Sequence, residues 1–398
     1  SGSDTLATAR ALALALRTRE YDLVICGSHS VDSETGQVGP QIAEFIGATL
    51  ITNVTEVRIE PDYSVTAQRV TDAGVETVHF FTPALLTVTE GFGEERFPDR
   101  QSMDLASKKS ITVLSVNDLA EDTSLFGLKG SPTRVGEIFS VSYRREKLIL
   151  KDKAPRNTID ELIQYLINKN IFDTTSDQVK SLDRGGIRDM GPMGSIWVWV
   201  DISTGTINPI SYELLGLASP LANSLGTNVT VAVLGSMNRK FYSILTAFGA
   251  DKILYDESDC LIEFDGASYS NVLSDAISKY DPWAVILPST INGRELGGRI
   301  SSKLGLGMTG DCISLRINAE GKLVQNKPAF GGNVIAPITS NTRPYICTIR
   351  PGIGEALKAN YKTEPRLEVL ELNHLPESSF TLVHRNEFSE LEEILETV

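Results

Sequence analysis

The residues best placed to do chemistry form one run, Gly27-Ser-His-Ser-Val-Asp-Ser-Glu-Thr-Gly-Gln-Val-Gly39. It follows a short apolar stretch, Asp22-Leu-Val-Ile-Cys-Gly27, and opens a helix at Pro40. The carboxyl end of a parallel strand is where open α/β sheets bind ligands. Free backbone N–H groups and the positive end of a helix dipole suit a phosphate there. Gly36 and Gly39 permit close backbone approach, and Thr35 and Gln37 carry donors. The pattern points to phosphate or nucleotide binding, or to a polar turn with a satisfied cap. Asp32 and Glu34 could form a carboxylate pair, although a solvated loop accounts for them more simply. His29 reads as a surface histidine.

Other chemistry is poorly supported. Gly305-Leu-Gly-Met-Thr-Gly310 has dinucleotide-type spacing, but a helix precedes it and a strand follows, the reverse of that fingerprint. Gly305 reads as a helix stop. There is no P-loop, no GxSxG and no credible nucleophile–base set. Cys26, Cys260, Cys312 and Cys347 form no CxxC pair, which disfavours a disulfide framework or zinc cluster and fits a reducing cytoplasm. Lys and Arg total 37 against 51 Asp and Glu, a net charge of −14, so nucleic-acid and anionic-membrane binding are disfavoured. The longest uncharged stretch, Leu214 to Asn238, is broken by Pro220, Asn223 and glycines and reads as helix, turn and strand, not a membrane span. Trp197 and Trp199 share one face of a strand, which predicts packing.

The elements that must position the loop come in two sets. The first has a helix over Thr5–Arg19, the apolar strand ending at Gly27, and a short helix Pro40–Ile46 stopped by Gly47. Strands over Leu50–Ile59, Ser64–Val70, Val75–Phe81 and Ala84–Thr89 follow, with another expected at Ile111–Val116. Residues 121–157 read as an extended arm, Ile159–Asn168 as a helix, and 170–194 as a linker. From Ile196, strands alternate with helices, the signature of a doubly wound parallel sheet.

An internal repeat links the sets. Tyr21-Asp22-Leu-Val-Ile-Cys-Gly…Val38-Gly39-Pro40…Ile46-Gly47…Glu56-Val-Arg-Ile59 matches Tyr280-Asp281-Pro-Trp-Ala-Val-Ile-Leu…Leu296-Gly297-Gly298…Leu304-Gly305…Ser314-Leu-Arg-Ile317. Each copy continues to a strand that opens on a proline, Pro83 or Pro344. Two long copies mean a duplicated domain, not a solenoid. Three strands and three helices precede Tyr280 after Ser195, but only residues 1–20 precede Tyr21. The first sheet is therefore expected to lack strands and to expose an edge.

Several segments resemble the electron transfer flavoprotein family. Val31-Asp-Ser-Glu-Thr-Gly-Gln-Val-Gly-Pro40, Pro83-Ala-Leu-Leu-Thr-Val-Thr-Glu90 and Gly127-Leu-Lys-Gly-Ser-Pro-Thr133 are similar to the beta subunit. Pro328-Ala-Phe-Gly-Gly-Asn-Val-Ile-Ala336 and Thr348-Ile-Arg-Pro-Gly352 are similar to the alpha subunit's N-terminal domain. The resemblance implies a beta–alpha fusion of two Rossmann-like (adenine nucleotide alpha hydrolase-like) parallel-sheet domains related by a pseudo-twofold. A partial beta-like domain would span 1–125, an arm, helix and linker 126–194, an alpha N-terminal-like domain 195–375, and a tail 376–398 leading to an absent C-terminal FAD domain. It further implies AMP or a second FAD in the beta-like part, with Gly27, Asp32, Thr35, Gly36, Gln37, Val38 and Gly39 on the phosphate side. The redox FAD would belong to the full-length protein, and the chain as it stands is expected to carry none. The partner-docking segment matches Phe97–Ala106, with Phe97, Arg100 and Met103 as candidates; Arg100 stands where the family presents a leucine. The implied role is an electron carrier, not a catalyst with its own substrate, working between acyl-CoA or other flavin dehydrogenases and a quinone-linked oxidoreductase. The rival reading is an AMP- or ATP-binding sensor or scaffold of the same fold.

Overall fold

The computed structural model describes residues 2–140, 149–151, 155–169, 188–191, 193–235, 239–370 and 378–387. Most of the expected linker, residues 170–187, lies outside them. The first lobe runs α1 (Thr5–Leu16), β1 (Leu23–Gly27), α2 (Val38–Ile46), β2 (Thr49–Ile59), β3 (Ser64–Thr71), β4 (Gly74–Phe81) and β5 (Ala84–Val88). Three short helices follow, α3 (Arg100–Ser107), α4 (Val116–Leu119) and α5 (Gly127–Gly130), then β6 (Thr133–Val135), β7 (Phe139–Ser140) and α6 (Pro155–Asn168). The second lobe is β8 (Ile196–Val200), α7 (Ile210–Leu225), β9 (Val229–Leu234), α8 (Arg239–Ala247), β10 (Lys252–Asp256), α9 (Gly266–Tyr280), β11 (Ala284–Pro288), α10 (Ile291–Leu304), β12 (Met308–Cys312), β13 (Ser314–Ile317), β14 (Leu323–Ala329), β15 (Val334–Ser340), β16 (Tyr345–Ile349) and β17 (Leu367–Val369). A last strand, β18, covers Phe380–Glu387.

The second lobe holds a parallel sheet ordered β12-β16-β11-β8-β9-β10-β17. Its central strands β8, β9, β11 and β16 are mostly apolar and buried at every position because helices cover both faces. Ile196, Val198 and Val200 pack toward α7 and α8, while Trp197 and Trp199 pack toward α9. The tryptophans are therefore core residues, as their spacing predicts. The first lobe's sheet is ordered β1-β5-β2-β3-β4-β18. Ala9, Ala13, Ile42 and Ala43 seat α1 and α2 on Leu50 and Leu85.

The repeat holds at the level of strand pairing. β5 lies between β1 and β2, both parallel to it, and β16 lies between β11 and β12 in the same way. Gly47 and Gly305 end α2 and α10 in the left-handed conformation, at φ 69° and 64°, as glycine at that position does. Each lobe also lends a strand to the other. β6 pairs with β15 of the second lobe's antiparallel sheet, and β18 pairs with β4 of the first. Described residues of the 376–398 segment thus complete the opposite lobe's sheet.

β1 is the terminal strand of its sheet, and Ile25 on it is 56% exposed. Its counterpart β11 is flanked on that side by β8 and fully buried. The expected open edge is present among the described residues. One expectation is corrected. Ile111–Val116 forms no strand: the chain is irregular to Ser115 and then makes the single helical turn of α4, closed by a Ser115–Asp118 capping box. Ile111 and Val113 are 87% and 83% exposed, so their β-branched character meets no sheet to join.

Candidate functional site

The loop between β1 and α2 borders a cavity of about 250 Å³ at the carboxyl ends of β1 and β5, beside the register shift within β2. Ser28, His29, Glu34 and Gly36 of the loop line it, with Thr52, Asn53 and Thr87 from the strands. The second lobe supplies the remaining wall through Ile291, Arg294 and Glu295 of α10. The site is built between the two lobes.

The loop is shaped from both ends. Ser28 N–H donates to the Val88 carbonyl at 2.9 Å, extending the β1–β5 ladder. Ser28 Oγ lies 3.1 Å from His29 Nδ1. Glu34 and Gly36 take φ of 48° and 64°, both left-handed. Glu34 N–H donates to the Ser30 carbonyl at 2.8 Å, and its own carbonyl accepts from Arg294 Nη1 at 2.7 Å.

The sequence-proposed residues are dispersed. Gly36 faces the cavity. Gly27 is exposed at the end of β1, and Val38 is the half-buried first residue of α2. Asp32 lines a neighbouring groove with Phe330, Gly331, Gly332 and Arg350, and the Ser30 hydroxyl holds its carboxyl below the usual carboxylate range. Thr35, Gln37 and Gly39 are buried. Gln37 Oε1 accepts from the Thr5 hydroxyl at 2.9 Å. Gly39 is a packing glycine: a Cβ there would lie 2.5 Å from Thr87 Cγ2 and 3.3 Å from Cys26 Sγ. Its counterpart Gly297 would meet Met308 Cε at 2.5 Å.

Reading the sequence missed the wall from α10. The polar segment Pro288–Gly297 was the available signal, but linear spacing cannot show that α10 packs across α2. The helices cross closely, since a Cβ on Gly298 would be 3.0 Å from Pro40 Cβ. Thr52 Oγ1 donates to Glu295 Oε2 at 2.7 Å, and Glu295 Oε1 accepts from Arg299 Nε at 3.1 Å. Arg299 and Lys303 both pair with Glu44 of α2. Asp72, in the β3–β4 turn, accepts from the N–H groups of Ile291 and Asn292 at 3.1 and 2.8 Å and so caps α10 from the other lobe.

The second lobe closes the equivalent place. Only Ser289 and Thr290 separate β11 from α10, and Ser289 Oγ donates to Thr348 Oγ1 at 2.7 Å. Asp311 stands there beside Arg294 and Arg350, with Lys327 behind it donating to the Gly310 carbonyl at 2.9 Å. Burial alone would raise the Asp311 carboxyl, but the Arg350 hydrogen bond and the charges of Arg294 and Lys327 outweigh it and hold it low.

The exposed helix α3 carries the other candidates. Asp99 caps it by accepting from Ser102 N–H at 2.7 Å, and none of its residues is buried. Phe97 and Met103 are exposed with Arg100, and Leu105, which sequence reasoning passed over, is exposed beside them. Among the described residues no helix is long and apolar enough to cross a membrane, and no group of His, Cys, Asp and Glu could hold a metal ion.

Comparison with known proteins follows the two-lobed pattern. The family model described as electron transfer flavoprotein domain matches residues 1–119 and 196–375. The chain is 38% identical over 167 residues to an electron transfer flavoprotein subunit alpha of Clostridium acetobutylicum, covering 42% of this chain and 50% of that protein. It is 40% identical over 173 residues to an electron transfer flavoprotein subunit beta of Thermoanaerobacterium thermosaccharolyticum, covering 43% of this chain and 66% of that protein. It is also 38% identical over 156 residues to the lactate dehydrogenase (NAD(+),ferredoxin) subunit LctC of Acetobacterium woodii, covering 39% and 37%. The chain thus spans about half the length of the alpha-type relative and 66% of the beta-type one. With similarity to both subunit types and a family model matching most of its length, the chain belongs to the electron transfer flavoprotein family.

Proposed function

We propose that the chain is the base of a fused electron transfer flavoprotein, in which a beta-like and an alpha-like lobe together cradle an adenylate-type ligand, AMP or a second FAD. The observation that carries this reading is the cavity at the carboxyl ends of β1 and β5, bordered by a loop with left-handed Gly36. The residues present fit the phosphate and ribose of such a ligand. Gly36 offers backbone with no Cβ, and Ser28, His29, Asn53 and Thr87 bring side-chain donors and acceptors to one wall. Across the cavity, α10 contributes Arg294, a cation suited to phosphate, and Glu295, a carboxylate suited to a ribose hydroxyl.

FAD, when bound in the full protein, supplies the electron-carrying ring system. The task of this chain's residues is binding and orientation. The exposed Phe97, Arg100 and Met103 on and beside α3 are the proposed contact with flavin dehydrogenases, acyl-CoA dehydrogenases among them, and a quinone-linked oxidoreductase would take the electrons onward. The site is assigned no catalytic residue.

Calorimetric titration with AMP and with FAD tests the ligand. Saturable binding to the wild type that is lost in Asn53→Leu is expected, and binding indifferent to Asn53→Leu would overturn the assignment. Reduction of the FAD-loaded protein by an acyl-CoA dehydrogenase separates a carrier from a nucleotide sensor of the same fold.

A further inference from the structure

We propose that Arg294, contributed by the second lobe, is the positioning residue that holds the first lobe's Glu34–Gly36 turn in its ligand-receiving shape. The inference rests on the adenylate reading for its ligand, but the contact itself is independent of it.

Glu34 sits at φ 48°. A left-handed conformation is unfavourable for an L-residue with a side chain and persists only where the surroundings enforce it. Within the loop, Glu34 N–H donates to the Ser30 carbonyl, and from outside it Arg294 Nη1 donates to the Glu34 carbonyl at 2.7 Å. Its stem closes over Gly36, where a Cβ would lie 3.5 Å from Arg294 Cδ. The guanidinium is itself held on two further sides. Nε donates to the Ser289 carbonyl at 3.0 Å and Nη2 to Asp311 Oδ1 at 3.4 Å. Arg350 grips the same Asp311 carboxylate through Nε at 3.1 Å to both oxygens. Three acceptors in three directions match the rigid fork of arginine, and a lysine ammonium cannot reproduce them. Arg294 also lines the cavity directly beside Gly36. The second lobe, whose own equivalent place is closed, therefore shapes the site of the first.

The test uses Arg294→Ala and Arg294→Lys in the full chain, with AMP and adenosine as probes. Amide hydrogen exchange over residues 30–37 should rise about tenfold or more in Arg294→Ala, with β5 unchanged and Arg294→Lys between. AMP affinity should fall by about 10- to 100-fold while adenosine affinity holds, because the loss falls on the phosphate end. Unchanged exchange over 30–37 overturns the inference whether or not AMP binds. An equal loss of AMP and adenosine also overturns it, since that is general destabilisation. Raised exchange in a protein whose wild type fails to bind AMP supports the positioning role and removes the adenylate reading instead. Should Arg294→Ala fail to fold, Arg294→Lys gives the same measurements.

Discussion

Asn53 donates its backbone N–H to the Thr87 hydroxyl at 3.0 Å, from a left-handed φ of 53°. Asp311 repeats the arrangement in the second lobe, donating to Thr348 at 2.9 Å from φ 62°. Both residues sit where the strand register shifts, in β2 and in β12. The irregularity turns one side chain toward the end of the sheet. In the first lobe that side chain is a neutral amide lining a cavity. In the second it is a carboxylate gripped by Arg294 and Arg350. One device, with one change of side chain, makes an open site in one lobe and a closed anchor in the other.

The threonine hydroxyls are the first test. Thr87→Ala strips the Asn53 N–H of its acceptor and is expected to cost about 1–3 kcal/mol. Thr348→Ala should cost more than Thr87→Ala, because Thr348 also accepts from Ser289. Urea denaturation of the two variants compares them, and equal costs would show that the Ser289 bond adds nothing.

Gly39 tests whether its glycine serves packing. Gly39→Ala forces a methyl against Thr87 Cγ2, and overpacking of this kind costs about 1–3 kcal/mol. Thr87→Ser removes that methyl and keeps the hydroxyl. The double variant should recover most of the loss, read as a coupling energy in a double-mutant cycle. Additive costs would mean that the clash is relieved elsewhere.

Asp72 sets a pH dependence. Burial, then the neighbouring Asp201 charge, raises its carboxyl from the ordinary 3.8 to about 7. A folded-state value above the unfolded one means that the native protein binds the proton more tightly. This group's contribution is therefore full below about pH 4, falls as pH rises, and is lost by about pH 7. Asp72→Asn should flatten the decline in thermal stability across that window. Parallel melting curves for the two proteins from pH 4 to 7.5 would show that Asp72 titrates normally.

The exchanged strand β18 is held by charge. Arg385 donates to buried Glu76 through Nε at 2.9 Å, and Glu76 also accepts from Arg69 Nε at 2.9 Å. Arg385→Ala leaves Glu76 with Arg69, so the expected cost is about 1–3 kcal/mol, less than stripping a buried carboxylate of every partner. The loss should appear as faster proteolysis within residues 378–387, with the second lobe's parallel sheet unaffected. Unchanged cleavage there would assign the hold on β18 to its backbone ladder alone.

Much of the architecture could be read from the chain. The run Ile196–Val200 is apolar at every position, and its burial on both faces follows. Gly47 and Gly305 stop their helices as their positions predict. The matched segments around Tyr21 and Tyr280 predicted a duplicated domain, and the strand pairing bears this out. Ile111–Val116 misled because β-branched residues mark a strand only where the segment pairs with a sheet, and the Ser115–Asp118 spacing was the overlooked helix signal.

The loop from Gly27 to Gly39 was legible as a polar connection between a strand and a helix because turn glycines and a helix start are local features. Which of its residues reach the cavity was not legible. Gln37 and Gly39 are drawn into packing, whereas Arg294 and Glu295, far away in the chain, supply a wall. Backbone propensity and hydrophobic period act over a few residues, so the sequence alone determined the elements and their repetition. The crossing of α2 and α10, the exchange of β6 and β18, and the choice of open and closed lobe depend on contacts between residues hundreds of positions apart, and only the folded chain decided them.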